Sequence, residues 1–114
     1  MLVVGHSECG GAKFCLSEAQ KTPPSPPQIP ATPFLRWLKP LTGLARDLKL
    51  GPNELPRLVE ENVRKQVHNI LETDTIKVAQ KNGGDVSVHG LIYDLSTGHL
   101  NVLPTLPGEG VAYK

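Results

Sequence analysis

The sequence predicts an α/β fold, in which a partial parallel sheet is flanked by helices and ends in a β-hairpin. Three observations carry this prediction. A β-branched apolar run at Leu2–His6 is typical of a short buried strand, an amphipathic helix covers residues 54–72, and a second apolar run begins at Val86. Because helices separate the two apolar runs, we expect these runs to lie parallel in one sheet.

Length and charge set the broad class. The chain has 114 residues, and twelve Lys and Arg against eleven Asp and Glu give a formal net charge of +1. Charges of both signs are interspersed, which argues against nucleic acid and a strongly anionic membrane surface as partners. Neither a transmembrane pattern nor a secretory signal is found, so we expect a cytoplasmic protein, with an organelle as the open alternative. The predicted elements form one domain over residues 1–103, and a loose tail follows over 104–114.

Cys9 and Cys15 do not predict a disulfide. If both lie on one helix, their separation of six positions corresponds to a rotation of about 240° around the helix axis, so the thiols face different directions. We therefore expect reduced thiols in a reducing compartment, or one metal ligand and one unrelated thiol.

The first half of the chain contains two predicted helices and a proline-rich loop between them. The first helix covers Cys9 to Ala19, and residues 22–31 follow as an extended loop, because proline lacks the backbone donor that helices and sheets need. We interpret this loop as a spacer, with a peptide for a proline-binding module as the alternative. Thr32 has the pattern of an N-cap for the next helix, and Pro40 should kink or split that helix.

The second half begins with the clearest helix of the chain, over Glu54–Glu72. Its apolar side chains cover an arc of about 220°, with Gln66 inside the arc and Asn62 at its edge. We expect both amides to bond to backbone or neighbouring side chains and to have structural roles. The remaining predicted elements are a short helix over Asp74–Lys81, a strand over Val86–Asp94 and a hairpin strand over His99–Leu103.

The junction between the first strand and the first helix contains the strongest candidates for chemistry. His6 ends the strand and Cys9 opens the helix, at the carboxyl end of a strand, where ligands bind in open α/β sheets. The positive end of the helix dipole favours the thiolate that zinc needs, and Gly10 and Gly11 let a metal-bound group approach the backbone. The pattern is half of a zinc site, because a catalytic zinc needs three protein ligands; two unrelated residues are the alternative.

Four motifs, in the same order, resemble those of the β-class carbonic anhydrases. The segment from Val3 to Ala12 is similar to the zinc motif of that family. Trp37–Leu41 is similar to the family's W-L-x-P-L helix, and Glu61–Val67 is similar to its E-x-N-V-x-x-Q-V helix. His89–Gly98 is similar to its H-G-x-x-Y-D-x-x-x-G strand and turn. The motifs together cover most of Leu2–Leu103, so the sequence is identified as a member of this family, most similar to fungal members.

The resemblance implies a fold, a cofactor and a reaction. It implies a β-carbonic anhydrase-like fold and the zinc-dependent, reversible hydration of carbon dioxide to bicarbonate and a proton. His6 and Cys9 would be two of the three zinc ligands, Gly10 and Gly11 would lie near the substrate, and Tyr93 would have a structural role. The resemblance also implies a homo-oligomer.

One motif of the family does not occur in this sequence. Members carry a C-x-D-x-R segment on an earlier strand, which supplies the third zinc ligand and an Asp–Arg pair beside the metal. Because Cys15 does not match this segment, we expect an N-terminally truncated domain with an incomplete site, no certain catalytic residue, and a free thiol at Cys15 that is at least half-buried. His68, His89 and His99 are not expected to be ligands.

Three functions are compatible with the sequence. The first is that of a truncated carbonic anhydrase, and the second is that of an inactive relative acting as an oligomerising or regulatory partner. The third is a redox or zinc-carrying module based on Cys9. Without the family's earlier strands, the strand over Leu2–His6 would show an open edge and a bare apolar face, which predicts marginal stability or association.

Overall fold

The computed structural model describes residues 1–104, so the predicted tail lies outside the described residues from residue 105 onward. The described residues divide into a helical unit, residues 8–59, and a sheet unit, residues 1–7 with those from 60 onward. Among residues 1–104, none of the helices has both the length and the hydropathy of a membrane span. The elements in chain order are β1 (Leu2–His6), α1 (Gly10–Ala19), α2 (Pro33–Asp47), α3 (Leu55–Leu71), α4 (Asp74–Lys81), β2 (His89–Tyr93) and β3 (Leu100–Val102).

The sheet contains the three strands in the order β1-β2-β3. β1 and β2 are parallel, with Leu2 opposite His89, and β2 and β3 are antiparallel. The hairpin turn is closed by a backbone hydrogen bond of 2.8 Å from the N–H of Gly98 to the carbonyl of Asp94. The predicted parallel pair and the predicted hairpin are therefore confirmed.

One face of the sheet packs against α3. A Cβ atom at Gly90 of β2 would lie 2.8 Å from Cγ1 of Val63 and 3.4 Å from Cγ2 of Val67. This close approach requires a residue without a side chain on the strand. Val63 is buried, so the apolar arc predicted for the helix over 54–72 does contribute to the core.

The other face of β1 is exposed. Leu2 and Val4 keep 60% and 52% of their surface accessible, whereas Val3 and Gly5 are half-buried. The burial expected from the composition of the strand is therefore wrong, whereas the open edge and bare apolar face expected without the family's earlier strands are confirmed. Within the described chain β1 is an edge strand with β2 as its one neighbour, and its side chains alternate between a covered face and an open face.

β2 begins later than predicted. The expected strand covered Val86–Asp94, but residues 86–88 are outside the sheet and β2 starts at His89. His89 is opposite Leu2, the first residue of β1, and its N–H donates to the carbonyl of Met1 at 3.0 Å. Residues 86–88 therefore lie beyond the end of the ladder with β1.

α2 and α4 each begin with a capping threonine, and the cap of α2 at Thr32 is the one predicted above. The Oγ1 atom of Thr32 accepts a hydrogen bond of 3.1 Å from the N–H of Leu35 at the start of α2. The Oγ1 atom of Thr73 accepts one of 3.4 Å from the N–H of Ile76 at the start of α4. Each hydroxyl thus satisfies one of the backbone donors that a helix leaves without a partner in its first turn.

Pro40 was expected to kink or split its helix, and α2 continues through Pro40 as one helix, so the split does not occur. Proline removes one hydrogen bond from a helix but leaves the bonds on either side in place. Leu38 and Ala45, which lie on either side of Pro40 in the sequence, are both buried. We attribute the continuity of the helix to this packing, which offsets the missing bond.

The helical unit is built on the contact between α1 and α2. The thiol of Cys15 donates to the carbonyl of Leu38, with Sγ and the oxygen 3.6 Å apart. The guanidinium of Arg46 donates to the carbonyl of Glu18 at 3.0 Å, near the end of α1. Residues 22–31, between the two helices, form neither helix nor strand. The buried side chains of the pair are Ala12, Cys15, Leu16, Leu38 and Ala45.

Candidate metal centre

His6 is the last residue of β1, and its side chain is exposed. Its Nδ1 atom lies 2.9 Å from the carbonyl oxygen of Ser7. Because a carbonyl oxygen only accepts hydrogen bonds, Nδ1 must carry the proton for this bond to form. In a neutral ring the Nε2 atom then keeps its lone pair, which is the form in which imidazole binds a metal.

Ser7 ties the end of β1 to the end of β2. Its N–H donates to the carbonyl of Tyr93 at 2.9 Å, and its hydroxyl oxygen accepts from the N–H of Leu95 at 2.8 Å. These two bonds fix the backbone next to His6. Ser7 was not among the predicted site residues, because a serine after a strand carries no signal that distinguishes it from an ordinary turn residue.

Glu8 adopts a backbone conformation that is unusual for a residue with a side chain. Its φ angle is +55°, in the left-handed region that favours glycine. The exposed carboxylate forms an ion pair of 2.6 Å with Nζ of Lys13, one turn into α1. The chain therefore makes a sharp turn between His6 and Cys9, which the sequence pattern alone did not reveal.

Cys9 occupies the N-cap position of α1, with φ −63° and ψ 119°, and its side chain makes no capping hydrogen bond. The thiol is free and half-buried. The main-chain carbonyl of Cys9 accepts the N–H of Lys13 at 2.9 Å and so begins the helix. The backbone of Cys9 thus belongs to the helix start, while its sulfur remains available to a ligand.

Neither of the two glycines after Cys9 is required by the packing of the described residues. A Cβ atom at Gly10 would meet nothing within 4 Å. At Gly11 it would lie 3.8 Å from Cδ2 of Leu38 and 4.0 Å from Sγ of Cys9, which are ordinary contacts. The expectation that Gly10 and Gly11 border a substrate stays a prediction.

The second cysteine is a buried, free thiol, as predicted. Burial raises the pKa of Cys15 above the ordinary thiol value of 9.0, and the negative charges that Cys9 and Glu18 can carry raise it further. A hydrogen bond from Thr42 opposes this shift. Because metal binding requires the thiolate, this environment disfavours Cys15 as a ligand.

Within residues 1–104, no three His, Cys, Asp or Glu side chains lie close enough together to hold a metal ion. His6 belongs to the sheet unit and Cys9 to the helical unit, since the division falls after Ser7. His68, His89 and His99 are exposed, and Nε2 of His89 lies 3.0 Å from the hydroxyl of Ser87. The described chain thus offers two donors of the types that zinc prefers, an imidazole nitrogen and a sulfur.

The residues expected to be structural lie on α3 and β2. Nε2 of Gln66 donates to Oδ1 of Asn62 at 3.3 Å, and Nδ2 of Asn69 donates to Oε1 of Gln66 at 3.3 Å. Tyr93 ends β2 opposite His6, and its carbonyl accepts the N–H of Ser7. These contacts are compatible with structural roles for Asn62, Gln66 and Tyr93, which remain predictions.

The fold and these residues define an α/β protein that has an imidazole donor at the carboxyl end of a parallel strand and a free thiol at the start of the next helix. The family model described as carbonic anhydrase matches residues 1–100. The chain belongs to the carbonic anhydrase family.

Known relatives agree with this assignment. The carbonic anhydrase of Saccharomyces cerevisiae is 26% identical over 112 residues, which cover 92% of this chain and 49% of the yeast protein. The crystal structure of the β-carbonic anhydrase CafA from Aspergillus fumigatus is 28% identical and has a TM-score of 0.67, over 90% of this chain and 47% of that one. A β-carbonic anhydrase from Sordaria macrospora, described as tetrameric, shares the fold with a TM-score of 0.68 at 22% identity, over 91% of this chain and 51% of that one.

The chain spans about half the length of these relatives. The predicted β-carbonic anhydrase-like fold is confirmed, as a partial version of that fold. Oligomers occur among the relatives, since the Sordaria proteins are tetrameric.

Proposed function

We propose that this chain contributes two ligands to the zinc site of a carbonic anhydrase, whose reaction is the reversible hydration of carbon dioxide to bicarbonate and a proton. The observation that carries the proposal is the hydrogen bond of His6. With Nδ1 bonded to the carbonyl of Ser7 at 2.9 Å, Nε2 keeps its lone pair for a metal. Membership of the carbonic anhydrase family supports the choice of zinc.

Each residue of the proposed site has its own task. His6 supplies a neutral imidazole nitrogen, and Cys9 supplies a thiolate once its proton has left to solvent. Gly10 keeps the space beside the start of α1 open, because no atom of the described chain lies within 4 Å of a Cβ placed there. When bound, zinc lowers the pKa of water, so that a nucleophile for carbon dioxide is available near neutral pH.

The proposed reaction needs more groups than this sequence contains. The C-x-D-x-R segment of the family does not occur here, and a catalytic zinc has three protein ligands. A further protein segment or a partner chain must supply the third ligand and the Asp–Arg pair. We therefore expect this chain alone to bind metal weakly and to hydrate carbon dioxide only when those groups are added.

Cobalt(II) binding tests the ligand assignment without relying on activity. Thiolate ligation of cobalt(II) produces a charge-transfer absorption, so a titration of the chain should show this band. Cys9→Ser should abolish the band, and His6→Gln should weaken cobalt binding at least about tenfold, because one of two ligands is lost. Stopped-flow carbon dioxide hydration by the full chain, alone and with an added C-x-D-x-R segment, tests the reaction.

Cys15→Ser is the matched control, because it removes the other thiol of the chain. It should leave the cobalt absorption unchanged, since Cys15 is buried and its pKa is raised. A band that survives Cys9→Ser but disappears in Cys15→Ser would overturn the assignment. Metal binding with no hydration activity in any complex would instead favour an inactive relative.

A further inference from the structure

The helical unit contains a groove that the zinc chemistry does not use. The groove lies between the proline-rich loop, residues 22–31, and helices α1 and α2, and its volume is about 450 Å³. This volume falls within the range of pockets for small molecules. We call it the proline groove.

The walls of the proline groove are mainly apolar. Four prolines of the loop line one side, together with Ile29, and Phe14 and Leu35 line the other. Ile29 is 83% exposed and Phe14 is 42% exposed, so both present large apolar surfaces that nothing in the described chain covers. Proline fixes its own backbone angle, so this wall loses little conformational freedom when a ligand binds.

The polar side chains of the groove leave it with positive charge. Lys39 and Arg46 both line it, and neither forms an ion pair with another described residue. Glu18 also lines the groove, but its carboxylate is already paired with Nζ of Lys21 at 2.6 Å. The groove therefore has two cations and one acid, and that acid is paired with a lysine that does not line the groove.

Arg46 also has a hydrogen-bond donor without a partner. One terminal nitrogen of its guanidinium donates to the carbonyl of Glu18 at 3.0 Å. Its Nε atom is buried and has no acceptor among the described residues. Because Nε has no accessible surface, a ligand in the groove would pair with the terminal nitrogens of this guanidinium instead.

We propose that the proline groove binds a small apolar carboxylate, of the aromatic or branched aliphatic class. The apolar walls select the hydrocarbon part, and the two cations select the anion. Arginine pairs with a carboxylate through two parallel hydrogen bonds, so Arg46 is the expected partner, and Lys39, about two turns earlier on α2, supplies the second positive charge. A phosphate, which has no apolar part, would leave the proline wall and Ile29 without contact.

Phenylacetate and phenylacetamide are the probes, because they share the ring and differ in charge. NMR of the full chain, with metal removed by a chelator, follows the Nε–Hε resonance of Arg46 and the methyl groups of Ile29 and Leu35. Phenylacetate should shift all of these, and the amide should bind at least about tenfold more weakly, since it lacks the charge. Because no metal is present, failure of the zinc proposal would leave this result unchanged.

Three variants at exposed positions complete the test. Lys39→Gln should weaken phenylacetate binding at least about threefold, whereas Arg57→Gln, which removes a cation outside the groove, should not. Ile29→Ser should weaken phenylacetate but not acetate. Equal binding of the acid and the amide, or shifts that do not involve Arg46, would overturn the proposal, as would the absence of any shift at about millimolar ligand.

Discussion

Gly90 shows how a single residue can set the distance between a helix and a strand. A methyl group at this position would lie 2.8 Å from Cγ1 of Val63, well inside the normal contact distance. We predict that Gly90→Ala lowers the free energy of unfolding by about 1–3 kcal/mol, because α3 and β2 must move apart to admit the methyl group. Urea denaturation followed by circular dichroism measures the effect.

The matched control is Gly43→Ala, in the middle of α2. A Cβ atom there meets nothing within 4 Å, so alanine should raise the free energy of unfolding by about 0.5–1 kcal/mol through its better helix propensity. If Gly43→Ala lowered the free energy of unfolding as Gly90→Ala is expected to do, the close contact at Gly90 would not explain the loss.

The buried thiol of Cys15 should make stability depend on pH. Burial raises its pKa in the folded chain, so above the ordinary thiol value of 9.0 the unfolded chain releases this proton more readily than the folded one. Stability is therefore expected to fall as pH rises through that value, by at most about 1.4 kcal/mol per pH unit from this one group.

Denaturation curves of the parent chain and of Cys15→Ala, recorded between about pH 7 and about pH 10, test this prediction. The variant should start less stable because of the lost packing, but its stability should fall less steeply with pH. Parallel pH profiles for the two proteins would contradict the account. Cys9→Ala, which removes the half-buried thiol, serves as the comparison.

The sequence predicted the positions of His6 and Cys9 better than the backbone geometry between them. His6 and Cys9 lie where the pattern placed them, at a strand end and a helix start. The roles of Ser7 and Glu8 were not predictable, because one depends on hydrogen bonds to residues far along the chain and the other on a local backbone angle. Residue type is enough to suggest a candidate ligand, whereas the hydrogen bonds that fix the backbone around it depend on tertiary contacts.

Among the elements, α2 contains an interior proline whose cost can be measured. An alanine at position 40 would restore a donor to the carbonyl four residues earlier, which outweighs the roughly 0.4–1 kcal/mol that proline gains by restricting the unfolded chain. We predict that Pro40→Ala raises the free energy of unfolding by about 1–2 kcal/mol. Chemical denaturation provides the measurement.

Pro56, in the first turn of α3, is the matched control. The N–H of a residue at this position has no partner within its helix, so Pro56→Ala restores no hydrogen bond and should lower the free energy of unfolding by roughly 0.4–1 kcal/mol. An equal gain at both positions would mean that the restored hydrogen bond is not its cause, because alanine at position 56 restores no bond within the helix.

Element types were predictable because their signals are local. The capping threonine before α2 and the period of α3 can be recognised from neighbouring residues alone. The start of β2 was not predictable, because residues 86–88 have the composition of a strand and leave the sheet only where the ladder with β1 ends. The length of a strand depends on the neighbouring strand with which it pairs, and the strand's own sequence does not show where that neighbour ends.

At the scale of the whole molecule, the open face and open edge of β1 predict association. Leu2 and Val4 are exposed on a strand whose second edge has no partner within the described chain. We expect the weight-average mass in sedimentation velocity to rise with protein concentration, because exposed apolar edges pair with other chains. Val4→Lys should reduce this association, since it places a charge on the open face.

Val78→Lys on α4 is the control, because Val78 is a similarly exposed valine outside the sheet. It should leave association unchanged. A concentration-independent monomer with a cooperative melt at high temperature would contradict both the association and the marginal stability expected from the sequence.

For the coverage of β1, the composition of the strand predicted burial and the missing segment of the family predicted an open face, and the second prediction was correct. A continuous apolar run such as Leu2–Val4 predicts burial, but burial requires neighbours on both faces, and the run carries no information about their presence. The chain matches about half the length of its relatives, so neighbours that cover this strand in a longer relative need not occur in this chain.

The pairing of β1 with β2 also has a consequence for the order of folding. These strands come from opposite ends of the described chain, whereas the hairpin of β2 and β3 and the contact of α1 with α2 join segments that follow one another. Loop closure makes distant pairing slow, so β1 should dock late, after the local structures have formed. The backbone that holds His6 would then become ordered in one of the last folding steps, and a nascent chain would not yet present this imidazole in its final position.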